Sequence, residues 1–375
     1  MAEFILKDSN GKEQTFDKET IYVRGTDGEL MPFTHGTGGS DDVRYVTFMS
    51  YDGLIEYGKK AVAVGDDCAD PIARGVFDTP TREYDGTYDY GFLGWAAEIG
   101  GTTNGDELER IEENKTVYAV FDQFLGGEAG DNARWKLKDG TFTVYGDGEM
   151  FTTSSLKTWD GVKSEIKKVV ISEGITSITP TAFMSCTNLT SVSIADTVET
   201  IRASAFNGCS QLKQKIECKA TKILSNAFTE SGITGITFDP RTTTLNNFVL
   251  SECTNITQVV IPDSVTAIGI GFATNSGLTS ITIPDSVKKL GMNAFGSCSN
   301  LKTAVIGQGV TEIGPSCFGW GGLTSATFKN KSGWYVADTS TATSGTSLSS
   351  SNLGSTSTAA TYLKTTYRDK YWLRT

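Results

Sequence analysis

Residues 166–212 read IKKVVISEGITSITPTAFMSCTNLTSVSIADTVETIRASAFNGCSQL and contain two copies of one pattern. Each copy follows the form (I/V)xxIxxxAFxxCxxLxxVxIxxx, in which x is any residue. The pattern continues to about residue 328. An internal repeat therefore determines the fold of the second half of the chain.

A phenylalanine near the middle of each unit marks the register of the repeat. Leu250 takes its place between the third and the fourth phenylalanine. Successive markers are 23, 22, 22, 22, 23 and 23 residues apart, and this regularity predicts seven stacked units. The markers are Phe183, Phe206, Phe228, Leu250, Phe272, Phe295 and Phe318.

Short alternating runs and small residues define the rest of each unit. A run such as Val192–Ile194 or Ile281–Ile283 predicts a half-buried strand, because successive side chains of a strand point to opposite faces. One unit cannot bury its own apolar face, so the units are predicted to stack into a solenoid. A small residue precedes each marker and lets neighbouring coils approach: Ala182, Ala205, Ala227, Val249, Gly271, Ala294 and Cys317.

The repeat over residues 166–328 resembles the BspA-like subfamily of leucine-rich repeats. The resemblance implies a right-handed solenoid of about seven coils with strands on its concave side. It also implies an adhesive protein of cell or particle surfaces. The second unit departs from the pattern, because Lys215 and Glu217 occupy strand positions expected to be apolar. We therefore predict an irregular or bulged coil there.

Most of the seven cysteines belong to one column of the repeat, three residues after the marker. Ser231 and Ser276 fill this column in two intervening units, so only Cys186 and Cys209 lie on adjacent coils, close enough for a disulfide. We interpret the column as buried thiols, because free cysteine behaves as a small hydrophobic residue. A disulfide or metal role is the alternative. The column consists of Cys186, Cys209, Cys253 and Cys298.

Two modules are predicted before the repeat, in a multidomain, β-rich chain. Residues 1–40 are interpreted as an attachment segment that ends in the Gly-rich linker HGTGGS. Residues 41–125 resemble the internalin-type B-repeat module through VRYVTFMSYDG, the FLGW of residues 92–95 and the TVYAVF of residues 116–121. That module is a small β-grasp-like spacer with a buried tryptophan, and the resemblance implies no catalytic role.

Both ends of the solenoid, residues 166–330, need cover for their apolar surface. Residues 126–165 contain a predicted β-hairpin around Asp139-Gly140, which we interpret as the N-terminal cap. Residues 331–375 contain, after Gly333-Trp334-Tyr335-Val336, a segment in which 14 of the 20 residues from 339 to 358 are Ser or Thr. An aromatic tail follows, which we interpret as a C-terminal cap, with an aromatic interaction surface as the alternative.

The acidic charge of the chain is confined to its N-terminal third. Residues 1–125 carry 25 acidic and 11 basic side chains, a net −14, whereas the remainder carries 19 and 22, a net +3. Such a distribution repels nucleic acid and leaves no basic stripe to bind phosphates. The sequence contains no run of 18 apolar residues, which a membrane span would need. Its start, MAEFILKDSNGKEQ, does not resemble a secretory signal peptide. We expect neither nucleic-acid binding nor membrane insertion.

The sequence offers little for catalysis. The single histidine, His35, lies in the Gly-rich linker, and no G-x-S-x-G elbow, Walker loop or HExxH motif is present. Asp66, Asp67 and Asp70 lack the spacing of an EF-hand and are interpreted as a solvated acidic turn. A carboxylate pair of a glycan-active enzyme is the remaining alternative. We predict no catalytic residue, metal ligand or cofactor, and a chain that is not an enzyme.

Small hydroxyl and amide groups occupy the outward positions of the predicted strands, and such groups suit recognition by hydrogen bonds. We predict that they bind a host cell-surface protein or glycan weakly, so that a homo-oligomer would gain avidity. The candidate residues are Ser191, Ser193, Thr237, Gln258, Ser280, Thr282, Thr303, Ser325 and Thr327.

Two biological settings fit this adhesive interpretation. The start FILKDSNGKEQTF, taken with the B-repeat-like segment, resembles gut-phage structural proteins. We therefore predict a virion protein, a tail or head fibre assembled in the host cytoplasm, in which residues 1–40 contact other virion proteins. The alternative is a bacterial cell-surface adhesin of the same repeat family.

Overall fold

The structure, a computed structural model, describes eight segments of the chain, and it is β-rich throughout. Contacts divide the chain into one compact unit of residues 1–82 and 91–122 and another of residues 83–90 and 123–375. Within the predicted attachment segment 1–40 only four short strands are described, and His35 lies outside the described residues. The described segments are residues 5–7, 13–15, 22–24, 30–32, 43–72, 76–82, 88–103 and 106–375.

The first unit contains a mixed sheet. The strands of this unit, two of which also contribute residues to the second unit, are β1 (Ile5–Lys7), β2 (Glu13–Thr15), β3 (Tyr22–Arg24), β4 (Leu30–Pro32), β5 (Val43–Met49), β6 (Glu56–Ala63), β7 (Tyr88–Ala96) and β8 (Lys115–Glu128). β1 and β2 form a separate two-stranded sheet, as do β3 and β4. β5 pairs antiparallel with β6 and parallel with β8. Trp95 lies in the core of this unit, with its ring centroid 4.8 Å from that of Phe48. A 3-10 turn spans Asp106–Leu108.

The second unit is a solenoid of about eight turns whose coils pair through parallel strands. One ladder consists of the short strands that follow the phenylalanine marker of each coil. We call the place of this marker the ring position. Inward side chains of this ladder, such as Val169, Ile216 and Ile281, are buried, because alternate residues of a strand face the core. Its strands are β9 (Ala133–Lys138), β10 (Thr141–Gly146), β12 (Lys168–Ile171), β14 (Ser191–Ile194), β16 (Lys215–Glu217), β18 (Gly235–Thr237), β21 (Ser280–Thr282), β23 (Thr303–Ile306) and β25 (Ser325–Phe328).

A second ladder of two- to four-residue strands lies between the first ladder and the ring position of each coil. It contributes a further buried column, which includes Ile178, Ile201 and Leu290. Its strands are β11 (Gly148–Glu149), β13 (Ile175–Ile178), β15 (Thr200–Ile201), β17 (Lys222–Ile223), β19 (Thr244–Leu245), β20 (Ala267–Ile268), β22 (Lys289–Leu290) and β24 (Glu312–Ile313).

The predicted ring column exists, but its register changes in the fifth coil. Rings stack at 5.4 Å between Phe206 and Phe228 and again between Phe295 and Phe318. In the fifth coil Ala273, not the predicted Phe272, occupies the ring slot. Main-chain hydrogen bonds between successive coils establish this shift by one residue.

Each ring-slot N–H donates to the C=O of the residue before the next ring slot, as Phe295 does to Cys317. Ala273 makes this bond to Ala294, whereas Phe272 accepts it from Leu250, so Phe272 fills the slot predicted to hold a small residue. The Phe272 ring then meets the Phe295 ring edge-on, with centroids 6.1 Å apart.

The predicted irregularity of the second unit takes a different form. Lys215 and Glu217 are exposed outward residues of a regular strand, β16, and Ile216 between them is buried, so the positions expected to be apolar are outward positions. The ladder is interrupted beside this strand, because β16 pairs with β18 and not with β14. The Gln214 carboxamide fills the gap: its Nε2 donates to the Val192 C=O (2.7 Å) and its Oε1 accepts the Val192 N–H (3.1 Å).

At its N-terminal end the solenoid continues into the hairpin of β9 and β10. β10 pairs in parallel with β12, and the Phe142 ring lies between those of Trp135 and Phe183. Trp159 is fully buried and its Nε1 donates to the Ala182 C=O (2.8 Å). These aromatic side chains cover the apolar end of the first coil. Two 3-10 turns, Ser154–Leu156 and Asp160–Glu165, connect the hairpin to that coil.

The C-terminal tail covers the other end. Trp372 packs face to face with Phe328, and Trp334 packs against both rings edge-on. The Ser/Thr-rich segment is ordered and includes two short helices that begin with Ser N-caps, Ser349 and Ser355. The elements are β26 (Trp334–Ala337), β27 (Thr346–Ser347), α1 (Ser350–Gly354), α2 (Thr356–Thr361), a π-helical turn (Tyr362–Thr366) and β28 (Tyr371–Arg374), which pairs antiparallel with β24 and β26.

All seven cysteines are free thiols, and the predicted column is present. Cys253 Sγ lies 3.5 Å from Ser231 Oγ, and Cys298 Sγ lies 3.4 Å from Ser276 Oγ, so serines fill the intervening positions. Burial raises the pKa of Cys253 to about 11, which makes the thiolate scarce at neutral pH. The column is part of the core.

Candidate binding face of the solenoid

The outward side chains of the first ladder form one face of the solenoid, which we call the strand face. It consists of the outward residues of β12, β14, β16, β18, β21, β23 and β25, together with residues 258–261 of the fourth coil. Parallel pairing aligns equivalent residues of successive coils, so side chains of the strand face form rows across the coils.

All nine predicted binding residues lie on this face, but not as one uniform row. Ser280, Thr303 and Ser325 are aligned in one row of the last three strands. Thr282 and Thr327 belong to the next row, with Val305 between them. The exposed members are Ser193, Thr237, Gln258, Ser280, Thr282, Thr303 and Thr327, and the half-buried members are Ser191 and Ser325.

The structure separates the remaining predicted residues from that group. Ser191 and Ser193 belong to β14, Thr237 belongs to β18, and the ladder is interrupted between these strands and β21. Gln258 lies in none of the described strands. The strand face thus has three paired patches divided by two interruptions, one filled by Gln214 and one at residues 258–261.

Val260 is a residue of the face that the polar-residue criterion missed. Its side chain is 82% exposed, and the repeat register gives it the position that Thr237 and Thr282 have in the neighbouring coils. The signal was available, because the repeat register itself places Val260 at an outward position. The prediction of binding residues considered only hydroxyl and amide side chains, so it did not include the aliphatic Val260.

Charged groups border the face at its turns. Asp285 accepts hydrogen bonds from Lys329 Nζ and from the Gln308 N–H, both at 2.9 Å, and these bonds hold the pKa of its carboxyl below the ordinary 3.8. A hydrogen bond from Lys215 likewise lowers the pKa of Glu217. These carboxylates are anionic at neutral pH and accept hydrogen bonds, so they are poorly suited to general acid catalysis.

Two shallow depressions lie on either side of Val260. One, of about 650 Å³, is lined by Ser280, Thr282 and Asp285. The other, of about 740 Å³, is lined by Ile236 and Thr237 among others. Gln258, Val260 and Asp263 line both depressions.

A smaller depression of about 310 Å³ lies in the first unit, lined by Asp67, Asp70 and Trp95. The two carboxylates accept main-chain N–H groups, Asp67 from Arg110 and Asp70 from Ile72, both at 2.9 Å. Across the described ranges, no three His, Cys, Asp or Glu side chains are grouped as metal ligands. In the same ranges no helix is long and apolar enough to span a bilayer.

Comparison with known families identifies the repeat. The family of BspA-type leucine-rich repeat regions matches the chain in six copies, over residues 161–272 and 221–333. Residues 161–333 form a BspA-type leucine-rich repeat region. This region contains the described coils and the whole strand face. Proteins of this repeat family are typically non-enzymatic binding proteins and are often found on bacterial cell surfaces.

Several crystal structures are similar to the BspA-type solenoid at low identity. A leucine-rich repeat protein from Eubacterium ventriosum is 20% identical, with a TM-score of 0.37 over 55% of this chain and 73% of that one. A leucine-rich cell surface protein from Faecalibacterium prausnitzii is 23% identical, with a TM-score of 0.38 over 53% and 69%. A leucine-rich repeat protein from Bacteroides ovatus is 19% identical, with a TM-score of 0.34 over 54% and 70%. No curated protein matches the chain.

Proposed function

We propose that this chain is a non-enzymatic adhesion protein that binds its partner through the strand face. The observation that carries the proposal is the row of Ser280, Thr303 and Ser325, whose hydroxyl groups are aligned by pairing of three consecutive strands. A rigid solenoid holds these groups without the entropy loss of ordering a flexible loop. Their chemistry suits hydrogen bonds to a protein or glycan surface.

The test uses the full chain carrying a fluorescent label, applied to a panel of bacterial cells, epithelial cells and purified glycans. Substituting all three residues of the row with arginine (Ser280→Arg, Thr303→Arg, Ser325→Arg) places bulk and charge on the face. We expect at least a tenfold loss of binding to whichever surface retains the parent protein.

The matched control adds the same charge at exposed turn positions outside the first ladder, as Thr187→Arg, Ser210→Arg and Asn300→Arg. Its binding should stay within twofold of the parent. Equal binding by both triple variants would contradict the proposal. Circular dichroism confirms that each variant is folded before binding is compared.

For the biological setting we propose a phage virion, in which the first 40 residues contact other virion proteins and the strand face contacts the host. The resemblance of FILKDSNGKEQTF to the start of gut-phage structural proteins supports this setting. The repeat family supports the alternative, a bacterial cell surface. Antibody-gold electron microscopy distinguishes the two, because label on purified particles supports the virion and label on intact cells supports the adhesin.

A further inference from the structure

The strand face has a second interruption that no side chain of the described chain fills. β18 pairs with β16 and β21 pairs with β23, but residues 258–261 between them belong to neither pairing. Within the described chain, the main-chain N–H and C=O groups of Gln258–Ile261 make no hydrogen bond. A strand segment with free main-chain groups is a template for pairing with another chain.

The neighbouring strand offers main-chain groups to the same place. Ile283 donates its N–H to the Val305 C=O (2.8 Å) on the far side of β21. Because alternate residues of a strand point to opposite sides, Ser280 and Thr282 direct their main-chain groups towards residues 258–261. The interruption is thus bordered by polar main-chain atoms.

The first interruption shows which chemistry fits such a gap. There the Gln214 carboxamide, which has the donor and acceptor of a peptide bond, bonds to both main-chain groups of Val192. The second interruption lacks an equivalent side chain in the described chain. Peptide groups of another molecule have the same donor and acceptor geometry.

The surroundings of Val260 supply side-chain recognition. Its exposed side chain separates the two depressions, so a bound segment would place successive side chains on either side of it. Asp263 lines both depressions and has no ion-pair partner within the described residues, whereas Asp285 is paired with Lys329. An unpaired carboxylate in this position favours a cationic side chain.

We propose that Gln258–Val260 is a docking strand for an extended, basic peptide segment of a partner protein. The segment pairs main chain to main chain, as in β-strand addition, and places a Lys or Arg beside Asp263. This inference rests on the proposed function, since it assigns the partner class and the centre of the same face.

The test selects binders to the full chain from a displayed library of random 12-residue peptides. Enriched peptides should contain a Lys or Arg, and N-methylation of alternate residues of a selected peptide should weaken its binding at least tenfold. Val260→Arg should weaken binding at least tenfold too. Asn300→Arg is the control, because it adds the same side chain at an exposed turn position outside the strand face.

Three results would overturn the proposal: no enrichment of peptides, binding that tolerates N-methylation, or equal effects of Val260→Arg and Asn300→Arg. Glycan binding that Val260→Arg abolishes would also overturn it, because the partner class would then be wrong. Unfolding midpoints exclude misfolding as the cause, since Val260 is exposed and its replacement should leave stability unchanged. Failure here, with cell binding still lost in the Ser280, Thr303 and Ser325 variant, would leave the proposed function standing.

Discussion

Phe272 and Ala273 show how one coil accommodates an exchange of two neighbouring residues. Both are fully buried, and Phe272 fills a slot that holds a small residue or valine in the other coils. The exchange is tolerated because the Phe272 ring turns edge-on to Phe295 and lies 6.2 Å from Phe238. Aromatic pairs accept either geometry at similar energy.

Exchanging Phe272 and Ala273, so that the ring returns to the ring position, should reveal energetic coupling between the two residues. Phe272→Ala leaves a cavity and should cost about 3–5 kcal/mol, and Ala273→Phe alone overfills the core at a cost of about 1–3 kcal/mol. The double variant returns the ring to its column, so its cost should fall below the sum by about 1 kcal/mol or more. Urea unfolding measures all three. Phe272→Ala combined with Ile171→Val, in the first coil, is the control, and the costs of these two changes should add. If the costs of Phe272→Ala and Ala273→Phe also add, the two residues are not coupled and the proposed exchange of positions is wrong.

The spacing of phenylalanines could not predict this shift. Intervals of 22 and 23 residues both occur in the repeat, so Phe272 and Ala273 fit the sequence register equally well. The hydrogen bond from the Ala273 N–H to the Ala294 C=O decides between them. By contrast, the buried cysteine column followed from the sequence, because Cys, or Ser in two intervening units, recurs at the same place in the repeat.

Among the elements, β16 depends on a side chain for its connection to β14. Gln214→Leu removes both hydrogen bonds to Val192, which is 9% exposed, and leaves its N–H and C=O without partners. Unsatisfied buried groups cost about 1–3 kcal/mol, so the variant should be less stable by that amount. Its Val192 amide should exchange hydrogen faster, as measured by mass spectrometry of peptic fragments.

Gln211→Leu is the matched control, because Gln211 lies in the same coil and is exposed. It should change neither the unfolding midpoint nor the exchange of the Val192 amide. Unchanged exchange in Gln214→Leu would show that the carboxamide does not hold the two strands together.

Asp160 links the turn before the first coil to two lysines, Lys157 (2.9 Å) and Lys163 (2.8 Å). Burial raises the pKa of Asp160, but hydrogen bonds from Lys163 and Lys157 outweigh it, so the pKa lies below the ordinary 3.8. A carboxyl whose pKa is lowered by folding stabilises the protein above its unfolded pKa and loses this effect as the pH falls through the folded value.

The expected result is a midpoint that falls more steeply from pH 5 to pH 3 in the parent than in Asp160→Asn. Thermal unfolding followed by circular dichroism at a series of pH values measures it. Asp131→Asn, at an exposed position, should keep the parent's steepness. Parallel curves for the parent and Asp160→Asn would refute the assignment.

The sequence predicts the strands of the repeat and their inward residues. It does not predict the two interruptions of the first ladder. Alternation identifies Val192–Ile194 and Ile281–Ile283 as strands, and the structure has strands at both places. The run Val259-Val260-Ile261 has equally strong strand propensity, yet it is unpaired. Pairing depends on how the neighbouring coils position their main chains, and a local pattern does not contain that information.

At the scale of the whole molecule, the stack needs cover at both ends. Within the Ser/Thr-rich segment of residues 339–358, the apolar side chains Leu348 and Leu353 are buried. Ser349 and Ser355 accept main-chain N–H groups at the starts of the short helices, so some of the hydroxyl side chains act as helix caps. The isolated apolar residues of this polar segment indicate that it packs against the end of the stack.

Trp372 is the residue on which the C-terminal cover depends most. Its ring is 1% exposed and stacks on Phe328 with centroids 5.9 Å apart, and its main chain pairs with Ile313. Trp372→Ala should cost about 3–5 kcal/mol and loosen β28 from β24. The uncovered end of the stack would then offer apolar surface and strand edges to a second molecule.

We therefore expect Trp372→Ala to unfold at a lower temperature and to form dimers or larger species as its concentration rises, measured by sedimentation velocity at several concentrations. Trp320→Ala is the control, because that ring is 59% exposed and its main described contact is the Arg368 guanidinium, 4.4 Å from the ring centroid. It should cost about 1 kcal/mol or less and leave the association state of the parent unchanged. A Trp372→Ala protein with the parent's midpoint and association state at every concentration would mean that the coils beneath are closed by other contacts.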